Sequence, residues 1–231
     1  MKYLPQQQCK TNRAFYRCAW QDRFRRWPLA QTDSLRYRIR IRYAAVMKGV
    51  RLDYEIATSR LRLGPVGIEE LDELHRLWTE PDVRKYIWDG VAISREEAAS
   101  IIAESAACFA HRRFGLWAVK LAAATAGEHI VGFCGFWYFR DPPELELIYG
   151  LEPSFWGRGL ATEAARAMIQ YGFEALSFEA IAGSTDAANA RSARVMERAG
   201  MTLTRQAVAG GLDTLFYSIS GSEYGSESVI V

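Results

Sequence analysis

Apolar residues between positions 68 and 112 recur every three or four residues, and this spacing predicts three helices. The first begins near Ile68 and is ended by Pro81, because proline cannot continue a helix. A short second helix is predicted over residues 83–87. Ser94 and Glu97 form a Ser-x-x-Glu capping box, which predicts the start of the third helix.

Beyond residue 113 the apolar residues alternate with polar ones or run together, a pattern that predicts strands. The predicted strands, including a short early one, are 60–63, 114–120, 130–139, 145–151, 181–184, 202–208 and 213–219, the last two forming a hairpin about Gly210 and Gly211. Two helices, over 161–176 and from Asn189 to Gly200, lie between the later strands. The order β-α-α-α-β-β-β-α-β-α-β-β predicts an α/β fold in which helices cover one mixed sheet.

The strand at 145–151 leads through a glycine-containing loop into an alanine-rich helix. Gly157 and Gly159 lack the Cβ atoms that would keep a ligand away from the backbone. The N-terminus of the following helix adds a partial positive charge and unpaired N–H groups. This stretch therefore predicts a binding site for a phosphate or diphosphate group.

The net charge of +2 conceals two unlike segments. Residues 1–46 contain eleven Lys and Arg residues but two acidic ones, whereas the rest of the chain is mildly acidic. The small overall charge argues against a dedicated nucleic-acid-binding protein, so a nucleic-acid partner is not expected. No apolar run approaches the roughly 20 residues of a membrane span, and no membrane partner is expected.

The chain is predicted to divide into three parts. Residues 1–46 are expected to lie outside the folded unit, residues 58–220 to form one domain, and residues 221–231 to form a flexible tail. Arginines alternate with aromatic residues in the basic segment, which leaves three interpretations open. It is an arm for nucleic acid or an anionic membrane, an organelle-targeting peptide, or sequence upstream of a native start at Met47.

The residues that most often bind metals show no suitable spacing. The cysteines and histidines are Cys9, Cys18, Cys108, Cys134, His75, His111 and His129. Scattered cysteines predict a reduced, cytoplasmic protein, and isolated histidines predict no metal site. The glycine loop also lacks the third glycine of a dinucleotide-binding fingerprint, which argues against a nicotinamide cofactor.

Three motifs, in this order of elements, resemble the GNAT superfamily of acetyl-CoA-dependent N-acetyltransferases over roughly residues 58–220. The most specific is Trp156-Gly157-Arg158-Gly159-Leu160-Ala161, which is similar to the superfamily signature Gln/Arg-x-x-Gly-x-Gly/Ala but has Trp156 at its first position. Asn189 and Ser192 match an Asn-x-x-Ser helix that ends in glycine and an apolar residue. A strand ending in an acidic-proline turn is the third. More narrowly, the pattern resembles the branch containing the ribosomal-protein alanine N-acetyltransferases.

The resemblance implies that acetyl-CoA is the co-substrate and that an amine attacks its thioester directly, without a metal. Its implied coenzyme-binding residues are Leu151, Trp156, Gly157, Arg158, Gly159, Leu160, Ala161, Thr162 and Asn189. Glu146 is favoured as the catalytic base by its position on the central strand, with Glu144 as the second choice. Ser192 is implied as the general acid for the departing thiolate, and the Leu151 N–H as the donor to the thioester oxyanion.

Each side chain also has a purely structural interpretation. Glu146 and Glu144 suit the polar face of a half-exposed strand, whereas Asn189 and Ser192 suit a helix cap and first turn. Tyr149 suits either the core or a wall of the acceptor slot. The acceptor is expected to be a protein N-terminus or a small-molecule amine, and family habit suggests a homodimer. The alternative function is a non-catalytic acyl-CoA-binding regulatory module of the same fold.

Overall fold

The computed structural model describes residues 38–42, 53–88, 90–123, 129–139 and 144–227. Its strands are β1 (Arg38–Arg42), β2 (Asp53–Ala57), β3 (Leu61–Pro65), β4 (Leu116–Leu121), β5 (Ile130–Phe139), β6 (Glu144–Leu151), β7 (Ala180–Asp186), β8 (Thr202–Ala209) and β9 (Leu212–Ser220). Its helices are α1 (Leu71–Thr79), α2 (Pro81–Ile87), α3 (Arg95–Arg112), α4 (Leu160–Gln170), α5 (Ala190–Arg198) and α6 (Gly221–Glu227).

The strands in this part of the chain form a single mixed sheet in the order β1-β2-β3-β4-β5-β6-β7-β9-β8. Neighbouring strands are antiparallel except β6 and β7, which run parallel because α4 connects them as a crossover. From β3 to β9 the order of elements is the predicted one, and the predicted α/β fold with one mixed sheet is confirmed.

Helices cover both faces of the sheet and bury two apolar clusters. On one face, α1, α2 and the first half of α3 pack against β4 and β5, with Trp78 and Phe133 at the centre. On the other face, α4 and α5 pack against β6 and β7. The two faces meet the same central strands, so β5 is buried along most of its length. None of the described helices is long and apolar enough to cross a membrane.

Several local predictions are confirmed. Ser94 caps α3 by accepting from the Glu97 N–H at 3.1 Å, and the Ser94 N–H donates to the Glu97 carboxylate at 2.9 Å. Gly210 and Gly211 connect β8 to β9 with φ angles of +60° and +86°, which suit a two-residue hairpin turn.

Two boundaries of the predicted folded unit differ from the structure. Arg38–Arg42, inside the segment expected to lie outside the folded unit, pairs with β2 at the edge of the sheet as β1. Residues 1–37 and 43–52 lie outside the described part, so the expectation for them stays a prediction. The folded unit also begins before residue 58, because β2 pairs with β3.

The predicted helix over 161–176 is α4 followed by a π-helical turn over Tyr171–Ala175. Of the tail expected to be flexible, Gly221–Glu227 forms α6, whereas residues 228–231 lie outside the described part and the expectation for them stays a prediction. The Tyr224 ring stacks on Phe173 at 4.9 Å, and its hydroxyl donates to Glu174 at 2.9 Å. The Gly-, Ser- and Glu-rich composition predicted flexibility there, because composition does not show that a single aromatic residue, Tyr224, packs against the domain.

Gly135 on β5 is required by close packing beside the central strands. A Cβ atom at this position would collide with the carbonyl oxygen of Gly115, and the φ angle of +151° is one that other residues rarely adopt. We predict that Gly135→Ala lowers the free energy of unfolding by about 3 kcal/mol, measured by urea denaturation. The control is Gly64→Ala on β3, where the nearest atom to a Cβ lies 3.9 Å away. Equal effects of both changes would contradict the packing argument.

Candidate functional site

β6 and β7 separate directly after one pair of residues. Glu146 pairs with Ala182, and no later residue of β6 pairs with β7 in the part of the chain that the structure describes. The gap opens toward the C-terminal ends of both strands, where β6 enters the glycine loop. Ligands of open α/β sheets bind at such ends, so the gap is a candidate binding site.

Backbone groups of β6 point into this gap. The Glu152 N–H donates to the Val131 carbonyl at 2.8 Å, which makes Leu151 and Gly132 a pair without mutual hydrogen bonds. The Leu151 N–H therefore faces away from β5, and Tyr149, two residues earlier, has the same orientation. These groups can pair with an extended ligand lying between the strands.

The glycine loop presents a run of unpaired N–H groups. Gly157 and Gly159 adopt left-handed φ angles of +74° and +76°, and a Cβ at Gly157 would meet nothing within 4 Å. The first helical bond of α4 runs from the Glu163 N–H to the Gly159 carbonyl at 3.0 Å. The six N–H groups of residues 157–162 have no acceptor among the described residues. Such a run at a helix start binds anions.

A cavity of about 300 Å³ connects the loop with the gap. Its wall includes Tyr149, Gly150 and Leu151 of β6, part of the loop, the first turn of α4 and one face of α5 along its length. Asp82, Val83, Tyr86 and Ile87 of α2 close its other side. The cavity thus reaches from the α4–α5 face of the sheet toward the α2 face.

Three arginines on one face of α5 make the cavity wall positive. Arg191, Arg194 and Arg198 stand at i, i+3 and i+7, and all three line the cavity. None has a carboxylate within ion-pair distance in the described part of the chain. Among the lining residues, Asp82 is the one acidic side chain. These arginines were not predicted from the sequence, although their spacing on a predicted helix indicates that they share one face.

Asn189, Ser192 and Tyr149 come together at the start of α5. The Asn189 side chain caps α5 by accepting from the Ser192 N–H at 3.2 Å. The Tyr149 hydroxyl donates to the Ser192 carbonyl at 2.9 Å and lies 2.9 Å from the Ser192 hydroxyl. Because Tyr149 has one proton to donate, the Ser192 hydroxyl is the donor in the second contact. Burial raises the pKa of Tyr149, so its phenol stays protonated.

Glu146 lies apart from this group. Leu147 and Leu151 belong to the cluster on the α4–α5 face, whereas Ile148 packs on the α1–α3 face. Glu146 shares the face of Ile148 because side chains alternate along a strand. It is 4% exposed and accepts a hydrogen bond from the Ser184 hydroxyl at 2.6 Å. Neither residue lines the cavity, and Ser184 was not singled out from the sequence.

The second choice of base, Glu144, is exposed at the first position of β6. It lies on the same face of the strand as Glu146 but two residues farther from the gap. The structure therefore puts Glu146, and not Glu144, at the point where the strands part.

The predicted coenzyme-binding residues are placed in different ways. Trp156 lines the cavity, and its indole N–H donates to the Leu151 carbonyl at 2.7 Å. The Arg191 guanidinium lies 4.9 Å from the centre of the Trp156 ring. Leu160 is buried, so its side chain anchors α4. Arg158 is exposed outside the cavity wall, with its guanidinium over Phe155.

Charged groups also fix the start of the loop. Glu152 accepts from His129 at 3.0 Å and from Arg76 at 3.0 Å, which ties the end of β6 to α1. The hydrogen bond from His129, helped by Arg76, holds the pKa of Glu152 below its usual range. No group of His, Cys, Asp and Glu in the described residues is arranged to hold a metal ion.

Comparison with known families identifies the same region. Residues 60–202 match the family model described as an acetyltransferase (GNAT) domain. An Aspergillus fumigatus protein named FsC-acetyl coenzyme A-N(2)-transacetylase is 31% identical over 157 residues, which cover 63% of this chain and 63% of that protein.

Two solved structures share the fold. An acetyltransferase (GNAT family) from Bacillus anthracis is 24% identical with a TM-score of 0.59, covering 72% of this chain and 98% of that chain. The microcin C7 self-immunity acetyltransferase MccE, solved in complex with acetyl-CoA and AMP, is 20% identical with a TM-score of 0.57. That match covers 71% of this chain and 93% of that chain.

Proposed function

Because the chain belongs to the GNAT family of acetyltransferases, we propose that it transfers the acetyl group of acetyl-CoA to a primary amine. One observation carries the proposal. Six unpaired N–H groups at the start of α4 lie beside the gap between β6 and β7, so a diphosphate site and a slot for an extended arm adjoin each other.

Acetyl-CoA fits this arrangement in shape and in charge. The N–H groups of residues 157–162 suit its diphosphate, and the Tyr149 N–H suits its amide-containing arm. Arg191, Arg194 and Arg198 complement a ligand with several phosphate charges. Trp156 and Asn189 line the same wall, in keeping with their proposed role in coenzyme binding.

The chain's own residues handle the protons of the reaction. Acetyl-CoA supplies the thioester carbon that the amine attacks. A protonated amine has no lone pair, so a base must remove its proton, and we assign this to Glu146. The Ser184 hydroxyl, which donates to Glu146, is assigned as a relay: it passes its own proton to the carboxylate as it takes one from the ammonium. Glu146 lies on the α2 side of the sheet, opposite the helices that hold the coenzyme.

The opposite face supplies the groups that stabilise the developing negative charges. Ser192 is assigned as the donor to the departing thiolate sulfur: its hydroxyl at the cavity wall exchanges its hydrogen bond to the Tyr149 oxygen for one to the sulfur, and the Tyr149 phenol turns to donate to the serine oxygen. The Leu151 N–H, facing the gap, donates to the thioester oxyanion. The Trp156 indole fixes this strand end by binding the Leu151 carbonyl.

The acceptor is proposed to be a protein N-terminus or a small-molecule amine. Asp82 at the α2 side of the cavity attracts an ammonium group of either kind. The resemblance of the sequence to the branch containing the ribosomal-protein alanine N-acetyltransferases favours a protein N-terminus as the acceptor. The fungal relative's name, in contrast, specifies an N(2)-transacetylase acting with acetyl coenzyme A. A panel of acceptors must therefore contain both peptides and small amines.

The rival proposal is a regulatory module that binds acyl-CoA without turnover. Calorimetric titration of acetyl-CoA followed by a thiol-release assay across the acceptor panel separates the two. We expect binding together with thiol release for at least one amine. Binding without release on any acceptor favours the rival, and a folded protein that does not bind contradicts both.

Replacing the proposed base tests the chemistry. We predict that Glu146→Gln lowers kcat by about a hundredfold, because a general base commonly contributes at least that factor. The KM for acetyl-CoA should change little, since Glu146 lies outside the cavity wall. Glu144→Gln, on the same strand and face, is the control and should retain activity. A loss shared by both variants, or a loss that follows the melting temperature, contradicts the assignment.

The identity of the acid can be tested at one contact. We predict that Ser192→Ala lowers kcat by about tenfold or more, whereas Tyr149→Phe has the smaller effect because the Ser192 hydroxyl remains. Steady-state kinetics with saturating acetyl-CoA provide the comparison. Ser100→Ala on α3, remote from the cavity, controls for loss of a hydroxyl. The reverse order of effects would make Tyr149 the acid.

A further inference from the structure

The Arg60 side chain contacts two partners, one in the glycine loop and one in α4. Its Nη1 donates to the Arg158 carbonyl at 2.9 Å, and its Nε donates to the Glu163 carboxylate at 2.6 Å. Nη2 contacts the same carboxylate at 2.6 Å. One guanidinium thus joins the loop to the first turn of α4, and neither residue of this pair was singled out from the sequence.

We propose that Arg60, fixed by Glu163, is a positioning residue that aims the Gly159 N–H at the coenzyme diphosphate. This proposal rests on the proposed function. In a trans peptide group the carbonyl and the N–H point in opposite directions. Because Arg60 binds the Arg158 carbonyl, the N–H of the same peptide, which belongs to Gly159, points away from Arg60.

Several hydrogen-bond donors surround the Glu163 carboxylate. Its Oε1 accepts from the Thr58 hydroxyl at 2.6 Å, the Ser59 hydroxyl at 3.0 Å and the Arg60 N–H at 3.0 Å. Its side chain is 10% exposed, against 50% for Arg60. Burial alone would raise the pKa of Glu163, but the hydrogen bonds from Thr58, Arg60 and Ser59 outweigh it and hold the pKa below its ordinary value. The carboxylate therefore stays charged and holds the arginine in place.

The turn that carries Arg60 is itself fixed to the sheet. The Thr58 N–H donates to the Leu61 carbonyl at 2.9 Å, and the Leu61 N–H donates to the Thr58 hydroxyl at 2.9 Å. At the other side, the Ala122 N–H after β4 donates to the Arg60 carbonyl at 2.9 Å. The loop is thereby connected to the rigid β3–β4 pair, which a flexible glycine loop needs if its N–H groups are to be preorganised.

A simpler role for Arg60, direct attraction of phosphate by its charge, makes different predictions. In that case Glu163 competes for Arg60, and Glu163→Gln should tighten coenzyme binding. If Arg60 positions the loop, Glu163→Gln releases the guanidinium and weakens binding. Arg60→Lys also separates the two roles, because one ammonium keeps the charge but cannot contact both partners in the geometry of the fork.

The test measures coenzyme A affinity by calorimetry for the full chain and its variants. We expect Arg60→Ala to weaken binding by about tenfold, the factor expected for one lost charge-assisted contact. Arg60→Lys should not restore it, and Glu163→Gln should weaken it. Arg95→Ala, which removes an exposed ion pair with Asp72 between α3 and α1, is the matched control and should leave affinity unchanged.

S-acetylpantetheine, an acetyl donor without the diphosphate, separates positioning from general damage. For Arg60→Ala, kcat/KM should fall with acetyl-CoA but not with S-acetylpantetheine, and kcat at saturation should be kept. Equal losses with both donors, tighter binding by Glu163→Gln, or full rescue by Arg60→Lys would each overturn the proposal. If Arg60→Ala fails to fold, the other two variants decide. A wild-type protein that binds no coenzyme A contradicts the proposed function instead.

Discussion

β6 and β7 run parallel, pair at Glu146 and Ala182, and then diverge, so in the described part of the chain the backbone of β6 beyond this pair has no partner on β7. Unpaired N–H groups are costly when buried and are satisfied by water or by a ligand. The α4 crossover starts directly beyond this gap, which brings a helix N-terminus next to the unpaired strand. The cavity, the glycine loop and the assignment of faces all follow from this divergence.

The divergence also distributes the chemistry between two faces. Ser192 and the three arginines of α5 lie on one side, where the coenzyme is proposed to bind, and Glu146 and Ser184 lie on the other. The acid and base proposed here, Ser192 and Glu146, therefore lie on opposite faces of the sheet. The three arginines of α5 have no carboxylate within ion-pair distance among the described residues, whereas Glu163 close to the loop is paired with Arg60. Charge is thus placed to favour an anionic ligand.

Periodicity predicted the elements from β3 to β9 because buried faces impose a regular spacing of apolar residues. The loop was predictable because two glycines so close together before a helix, Gly157 and Gly159, indicate left-handed backbone conformations, which both residues adopt. Contacts between residues far apart in the sequence were not predictable. Arg60 and Glu163 are 103 residues apart, and no local sequence pattern indicates that their side chains form an ion pair. The same holds for Ser184 with Glu146, 38 residues apart. Arg158, expected from its place in the motif to offer its charge, lies over Phe155 and does not line the cavity.

Amide hydrogen exchange with and without coenzyme A tests most directly whether the gap and the loop together hold the ligand. We expect exchange to slow by about tenfold or more at Tyr149, Leu151 and residues 157–162, while β8 is unaffected. S-acetylpantetheine should protect the two strand positions and not the loop. Binding of coenzyme A without protection of either region, or with protection only elsewhere, would contradict the account.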